Sequence, residues 1–297
     1  MVPHKPVPVL AVVAALLSWA CAYPVVRLAL PFFAPVPLAA ARYMVAACLV
    51  VCWLCVKRPT LPRLKDIPRF LACGGIGIAL YNILFNTGEQ TVSAGAASLL
   101  LNTAPFLAAI AAVLFLNERL TVWGWLGSLI SFTGVVIIGS GQPGGLGFGS
   151  GTTVMLAAAL CSATYYLLQR PLVTRYGALV TTAYILLIGA GLLLPWLPSA
   201  IHTHNGWQAW ALVGVLGVFP SILGYGAWAH VVGQVGVARS SGLLYLLSPT
   251  TLLLAFVLVR EVPNLRTLIG GCIVMAGVGL MQMYGHPRPQ LKAEGAA

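Results

Sequence analysis

The chain has 297 residues, of which 60% are hydrophobic and 7% charged, with a mean hydropathy of +0.95. A soluble domain carries about 25% charged residues, so this composition excludes a large water-exposed globule. The net charge of +11 is not a nucleic-acid signature, because the basic residues sit in short segments between apolar runs.

Apolar runs of about 20 residues recur along the whole chain, enough to cross a bilayer core of roughly 30 Å. They lack strict alternation, and in lipid only helices and closed barrels satisfy the backbone. The fold class expected is an all-α membrane protein with ten transmembrane helices as two inverted five-helix repeats. The spans are 7–30, 36–56, 68–87, 92–115, 121–140, 151–169, 177–197, 207–231, 237–259 and 264–284.

The first span begins MVPHKPVPVLAVVAALLSWACA, which imitates a signal peptide with a cleavage point after Ala22. The repeat described below needs this helix, so it is retained. Trp19 and Tyr23 share one of its faces. The second span carries Arg42 toward its outer end. Cys52 and Cys55 form a C-x-x-C there, read as small apolar filler because no thioredoxin-like context surrounds them.

The loop KRPTLPRLKDIPR leads to the third span, whose polar residues Asn82, Asn86 and Glu89 fall at helical spacing on one face. Glu89 is one of five acidic residues. It lies either in headgroup water or on a polar path through the protein, at the outer end of a substrate route. Tyr81 precedes this face. The fourth span places Ser98, Asn102 and Pro105 at the same spacing. The fifth carries Gly127 and Gly134, seven apart, a small-residue face for close helix packing.

GQPGGLGFGSG at 141–151 lacks a preceding strand and a following Gly-Lys-Ser/Thr. It reads as a flexible outer linker and not a phosphate loop. The sixth span aligns Ser162, Tyr166 and Gln169; the eighth, Ser221, Tyr225 and Trp228; the ninth, Ser241, Tyr245 and Ser248. Pro249 sits inside the ninth span as Pro105 does inside the fourth. A proline there removes a backbone donor, giving either a static kink or a flexing point. His202 and His204 lack a third ligand, so no metal site is expected.

The two halves match. VSAGAASLLLNTAPFLAAIAAVLFLNERL faces VGVARSSGLLYLLSPTTLLLAFVLVREVP. Pro105 pairs with Pro249, Ser18 with Ser162 and Tyr81 with Tyr225, all 144 residues apart. Glu118 pairs with Glu261, and Gly127 and Gly134 with Gly270 and Gly277. Five spans per half is an odd number, so the second copy enters from the opposite side, as in many secondary transporters. The domains are 1–140, the first repeat; 141–150, the outer linker; 151–284, the second repeat; and 285–297, a tail. With both termini cytoplasmic, inner segments collect Lys5, Lys57, Arg58, Arg63, Lys65, Arg69, Arg119, Arg170, Arg175, Arg239, Arg288 and Lys292, and outer loops only Arg260 and Arg266. That asymmetry fits the positive-inside rule.

WACAYPVVRL, RYMVAA, SAGAASLLLNTAPF followed by NERL, and SSGLLYLLSPT followed by RE resemble the EamA-type transporters of the drug/metabolite transporter superfamily. The resemblance covers nearly the whole chain, in two copies. It implies a pseudo-symmetric ten-helix transporter that exports small metabolites. Its central cavity would be lined by the first, third, fourth, sixth, eighth and ninth helices, with the fifth and tenth packed at one side. Where the family often has Ala-Leu, this chain has Gly88-Glu89.

The function expected is a secondary transporter exporting amino acids or their derivatives across the bacterial inner membrane by alternating access. The alternatives are broad efflux of amphipathic drug-like compounds, a non-transporting subunit or an intramembrane enzyme. Intramembrane polar groups should face protein or a cavity. The substrate-binding candidates are therefore Trp19, Tyr23, Tyr81, Asn82, Asn86, Ser98, Asn102, Tyr166, Tyr225, Trp228, Ser241 and Tyr245. Helix–helix hydrogen bonding is the plainer role for any single serine, and packing or an interfacial belt for any single aromatic. Glu89 and Arg42 are candidates for coupling or an outer gate, with Glu89 the titrating group if protons drive transport. Arg42 would either snorkel to headgroups or meet Glu89 or an anionic substrate. No catalytic residue, cofactor or nucleic-acid partner is expected. The partners are a small-molecule substrate and the bilayer.

Overall fold

The computed structural model describes residues 8–104, 107, 121–141, 150–201, 205–235, 243 and 246–284. Among these the chain is helical and has no strand. Seven helices are long and apolar enough to cross a membrane, and two shorter apolar ones follow at Leu247–Val259 and Leu265–Met281. The fourth span is described only in part. The expected count of ten is thus approached and not reached among the described residues.

The first span is α1 (Val9–Ala20) continued by α2 (Ala22–Ala29), and the second is α3 (Pro35–Lys57). The third comprises α4 (Ile67–Gly74), a π-helical turn at Gly75–Leu80 and α5 (Tyr81–Gly88). After α6 (Ala94–Leu101) and α7 (Val122–Ser140), the second half opens with α8 (Ser150–Tyr176) and α9 (Ala178–Leu193). A short α10 (Leu197–Ile201) follows. The eighth span is α11 (Trp207–Val218), a second π-helical turn at Phe219–Gly224 and α12 (Tyr225–Val235). The described residues end with α13 (Leu247–Val259) and α14 (Leu265–Tyr284).

The two π-turns stand 144 residues apart, the same offset that relates Tyr81 to Tyr225. Each holds a glycine against an aromatic ring from the opposite half. Gly77 backs onto Tyr165, and Gly224 onto Trp19. Neither glycine has room for a Cβ, so the backbone approaches the ring directly.

α7 and α14 pack antiparallel through their paired glycines. A Cβ on Gly127 would come within 2.5 Å of the Gly277 carbonyl oxygen, and one on Gly134 within 2.7 Å of that of Gly270. Both ends of this seam are stitched. Asn264 Nδ2 donates to Gly141 O at 2.7 Å, and Thr121 Oγ1 to Tyr284 O at 2.5 Å. Such close backbone contact is how small residues hold membrane helices together.

Pro249 lies in the first turn of α13, where a missing N–H breaks no helical bond. Pro220, in the second π-turn, does lie inside a continuous helical span, as Pro171 does inside α8. Pro105 lies outside the described residues.

Candidate functional site

Pro220 has no N–H to offer the Leu216 carbonyl four residues before it. The Ser221 hydroxyl donates to that oxygen instead, at 3.0 Å. Its own oxygen accepts from Arg42 Nε at 3.1 Å. The matching region of the first half behaves alike. Asn82 Nδ2 donates to the Ile78 carbonyl at 2.8 Å and to the Tyr43 hydroxyl at 2.9 Å, and Asn82 Oδ1 accepts from Arg42 Nη1 at 3.2 Å. Arg42 is therefore held by one residue from each half, beside two π-turns, with its guanidinium 5.1 Å from the Tyr43 ring centroid. It is 6% exposed. At this burial the side chain does not snorkel to headgroups, and it makes no hydrogen bond or ion pair to Glu89 among the described residues.

Aromatic residues surround this centre. Trp19 donates through Nε1 to the Pro220 carbonyl at 3.1 Å and packs on Tyr225 and Trp228, with ring centroids 5.5 and 5.4 Å apart. Tyr81, Tyr225 and Cys21 lie within electrostatic range of the Arg42 charge. Tyr166 neighbours Tyr81, Tyr225 and Tyr23. It is 41% exposed where the adjacent Tyr165 is 6%, so its side chain faces open space. Tyr23 packs edge-on against Phe85, which stacks on Tyr81.

The α5 face predicted from spacing points into the protein throughout. Asn82, Asn86 and Glu89 are each at most 1% exposed. Asn86 Nδ2 donates to the Pro35 carbonyl at 2.9 Å, while Asn86 Oδ1 and both Glu89 oxygens have no hydrogen-bond partner among the described residues. Headgroup water is thus not where Glu89 sits. Glu89 lies just past the third span, which ends at Gly88. Burial pushes its pKa well up; the nearby Arg27 opposes that, and Glu261 adds to it.

Two further candidates lie apart from the arginine. Ser98 is fully buried and donates to the Gly95 carbonyl at 2.8 Å. Asn102 donates through Nδ2 to Ser248 Oγ and, at 3.9 Å, to the Met275 sulfur. Ser241 and Tyr245 fall outside the described residues.

Sequence reasoning treated Glu261 only as a repeat marker. It caps α6, accepting from the Ala94 and Gly95 amides at 3.1 and 3.2 Å, and its Oε2 lies 3.7 Å from Arg27 Nε. Arg27 also donates to the Val92 carbonyl at 2.8 Å. One cluster therefore ties α2, α6 and the end of α13. Asp66 was missed too. It accepts from Arg175 Nη1 at 2.6 Å and from the Tyr176 hydroxyl at 2.7 Å, fastening the segment after α3 to the end of α8. A charge pair in a chain with so few acids was the available signal in both cases.

The sequence profile described as the EamA-like transporter family matches residues 7–140 and again residues 149–283. The chain is 34% identical over 273 residues to a Streptantibioticus cattleyicolor protein described as a "Probable terminal-alkyne amino-acid exporter", covering 91% of this chain and 92% of that one. It is 33% identical over 262 residues to the uncharacterized transporter YdfC of Bacillus subtilis, covering 88% and 86%. A solved crystal structure superposes with a TM-score of 0.64 at 20% identity, over 92% of this chain and 96% of the other, a likeness of fold alone. The family and these relatives are named as transporters and not as enzymes. Two profile matches, covering nearly all of the chain, set the conclusion: this protein is a membrane transporter belonging to the EamA-like transporter family.

Proposed function

We propose that the protein is a secondary exporter of small polar metabolites, amino acids or their derivatives among them, acting by alternating access in a bacterial plasma membrane with both termini cytoplasmic. The observation that carries this reading is the buried polar centre at Arg42, shared between Asn82 of the first half and Ser221 of the second. A group bound there touches both repeats, so moving one against the other changes which side it faces. The matched π-turns support the same picture, since π-turns often mark functional points in helices. The amino-acid exporter among the relatives supports the substrate class.

Glu89 is the proposed proton site. Tyr23, Arg27 and Glu261 are the titratable or charged groups that face it. A buried carboxylate without hydrogen-bond donors favours its neutral form, so an imposed pH gradient can load and unload it.

The test is counterflow in proteoliposomes preloaded with a mixture of unlabelled amino acids. Accumulation of a labelled member against empty-liposome controls is expected. Equal uptake in both, for every member of the mixture and for amphipathic dyes, rejects the transport reading.

A further inference from the structure

We infer that Arg42 is the receptor for a substrate carboxylate, so that the transported class is defined by an acid group and not by an amine or by apolar bulk alone. The inference deepens the transport reading and rests on it for the word substrate.

A guanidinium stays charged in any protein environment. It cannot answer burial by losing a proton, as a lysine does. Buried cations are normally matched by an anion. The other arginines show that pattern where acids are at hand: Arg27 is matched by Glu261 and Arg175 by Asp66. Arg42 is more deeply buried than either, yet no carboxylate lies within ion-pair distance of it among the described residues. Its partners are two neutral oxygens, Asn82 Oδ1 and Ser221 Oγ, and the face of Tyr43.

Those two oxygens occupy two of the five guanidinium donors. The second Nη1 hydrogen and both Nη2 hydrogens make no hydrogen bond among the described residues. A planar fork with donors to spare suits a carboxylate, which takes two parallel hydrogen bonds. The two neutral partners are themselves anchored, Asn82 by Ile78 O and Tyr43, Ser221 by Leu216 O. The guanidinium is thus pre-oriented without being neutralised, which is what a reversible anion site requires.

Glu89 is not a second hand for the same molecule at the same time. It stands seven residues beyond Asn82 on one helix, roughly 10 Å along the axis, whereas the ammonium and carboxylate of an α-amino acid are adjacent. Arg42 therefore selects by the acid group alone, and the ring cluster of Trp19, Tyr81, Tyr225 and Trp228 beside it fits an apolar remainder.

The test uses purified full-length protein and three probes: L-leucine, N-acetyl-L-leucine, which lacks the free amine, and L-leucinamide, which lacks the acid. Thermal unfolding in detergent reads binding separately from flux. The two acids should raise the wild-type unfolding temperature in a saturable way, and the amide should not. Arg42→Gln should weaken acid binding at least about tenfold, as expected for truncating one side of a buried charge pair, and Arg42→Lys should restore part of it. Stabilisation by the amide equal to that by leucine, or by none of the three, overturns the inference from wild-type protein alone, so a variant that fails to fold does not protect it. A folded Arg42→Gln protein that binds leucine as wild type does also overturns it. Binding that follows this pattern without any flux in liposomes leaves the carboxylate site standing and removes the transport reading instead.

Discussion

The α7–α14 seam and the Arg42 centre are both places where the two halves meet, and they are built from opposite materials. The seam is glycine against glycine, backbone against backbone, with reciprocal contacts at 127/277 and 134/270. The centre is a charge held by single hydrogen bonds from Asn82 and Ser221. Close backbone packing has one good arrangement, because any displacement opens a void or a clash. Single hydrogen bonds from side chains can be exchanged for others at little net cost. The difference suits the seam to holding the repeats together and, on the proposed alternating access, the centre to letting them change.

That comparison breaks most visibly at the seam. Gly134→Val puts a branched side chain where even a Cβ meets the Gly270 carbonyl oxygen and the Val274 amide, both at 2.7 Å. Overpacking of this kind costs about 3 kcal/mol. Thermal unfolding in detergent should show the loss, with Gly277→Val behaving alike. Wild-type melting of both would mean that the seam is loose.

Next comes Glu89→Gln, which should leave folding intact and abolish the dependence of flux on an imposed pH gradient. Burial raises the Glu89 pKa, so wild-type protein keeps this proton above the ordinary carboxylate range and loses it only as pH rises through the raised value. Flux against pH should therefore show a transition in wild type and a flat line in the variant. A persisting transition assigns coupling elsewhere.

A smaller effect is expected for Glu261→Gln. It weakens the cap on α6 and removes a partly exposed ion pair, together about 1 kcal/mol. Hydrogen exchange should speed up at the amides of residues 94–97, and unchanged protection there would show that the carboxylate caps nothing in solution.

Smallest of all is Ser98→Ala. The Ser98 hydroxyl serves only the Gly95 carbonyl within its own helix turn, so stability should shift by less than about 1 kcal/mol and leucine affinity should not move. A shift in affinity would bring this serine into the site, against its position here.

Much of the architecture was legible because lipid restricts the choices. Run length, the 144-residue pairing of Tyr81 with Tyr225, and the Gly127/Gly134 spacing all follow from what a bilayer permits. The inward turn of Asn82, Asn86 and Glu89 was legible from helical spacing. The burial of Arg42 was not legible, since position along a span says nothing about which neighbours cover a side chain. That Pro249 falls in the first turn of α13 was not legible, because a proline's effect depends on where its helix begins. Pro220 was passed over, although its missing donor is what frees the Leu216 carbonyl for Ser221. The π-turns have no composition of their own: GIGIAL is small and apolar throughout, whereas FPSILG carries an aromatic, a proline and a serine.

Those two turns act as phase shifters. A π-turn is in effect one extra residue wound into an α-helix, and each α-helical residue advances the direction of its side chain by about 100°. Deleting a single residue from Gly75–Leu80 would preserve every side chain of α5 and still swing Asn82, Asn86 and Glu89 together off their face, toward whatever α4 alone would dictate. The same deletion in Phe219–Gly224 would turn Tyr225 and Trp228 away from Trp19. The polar face of α5 and the rings around Trp19 are thus aimed by the length of two turns in which Ser221 is the one polar side chain.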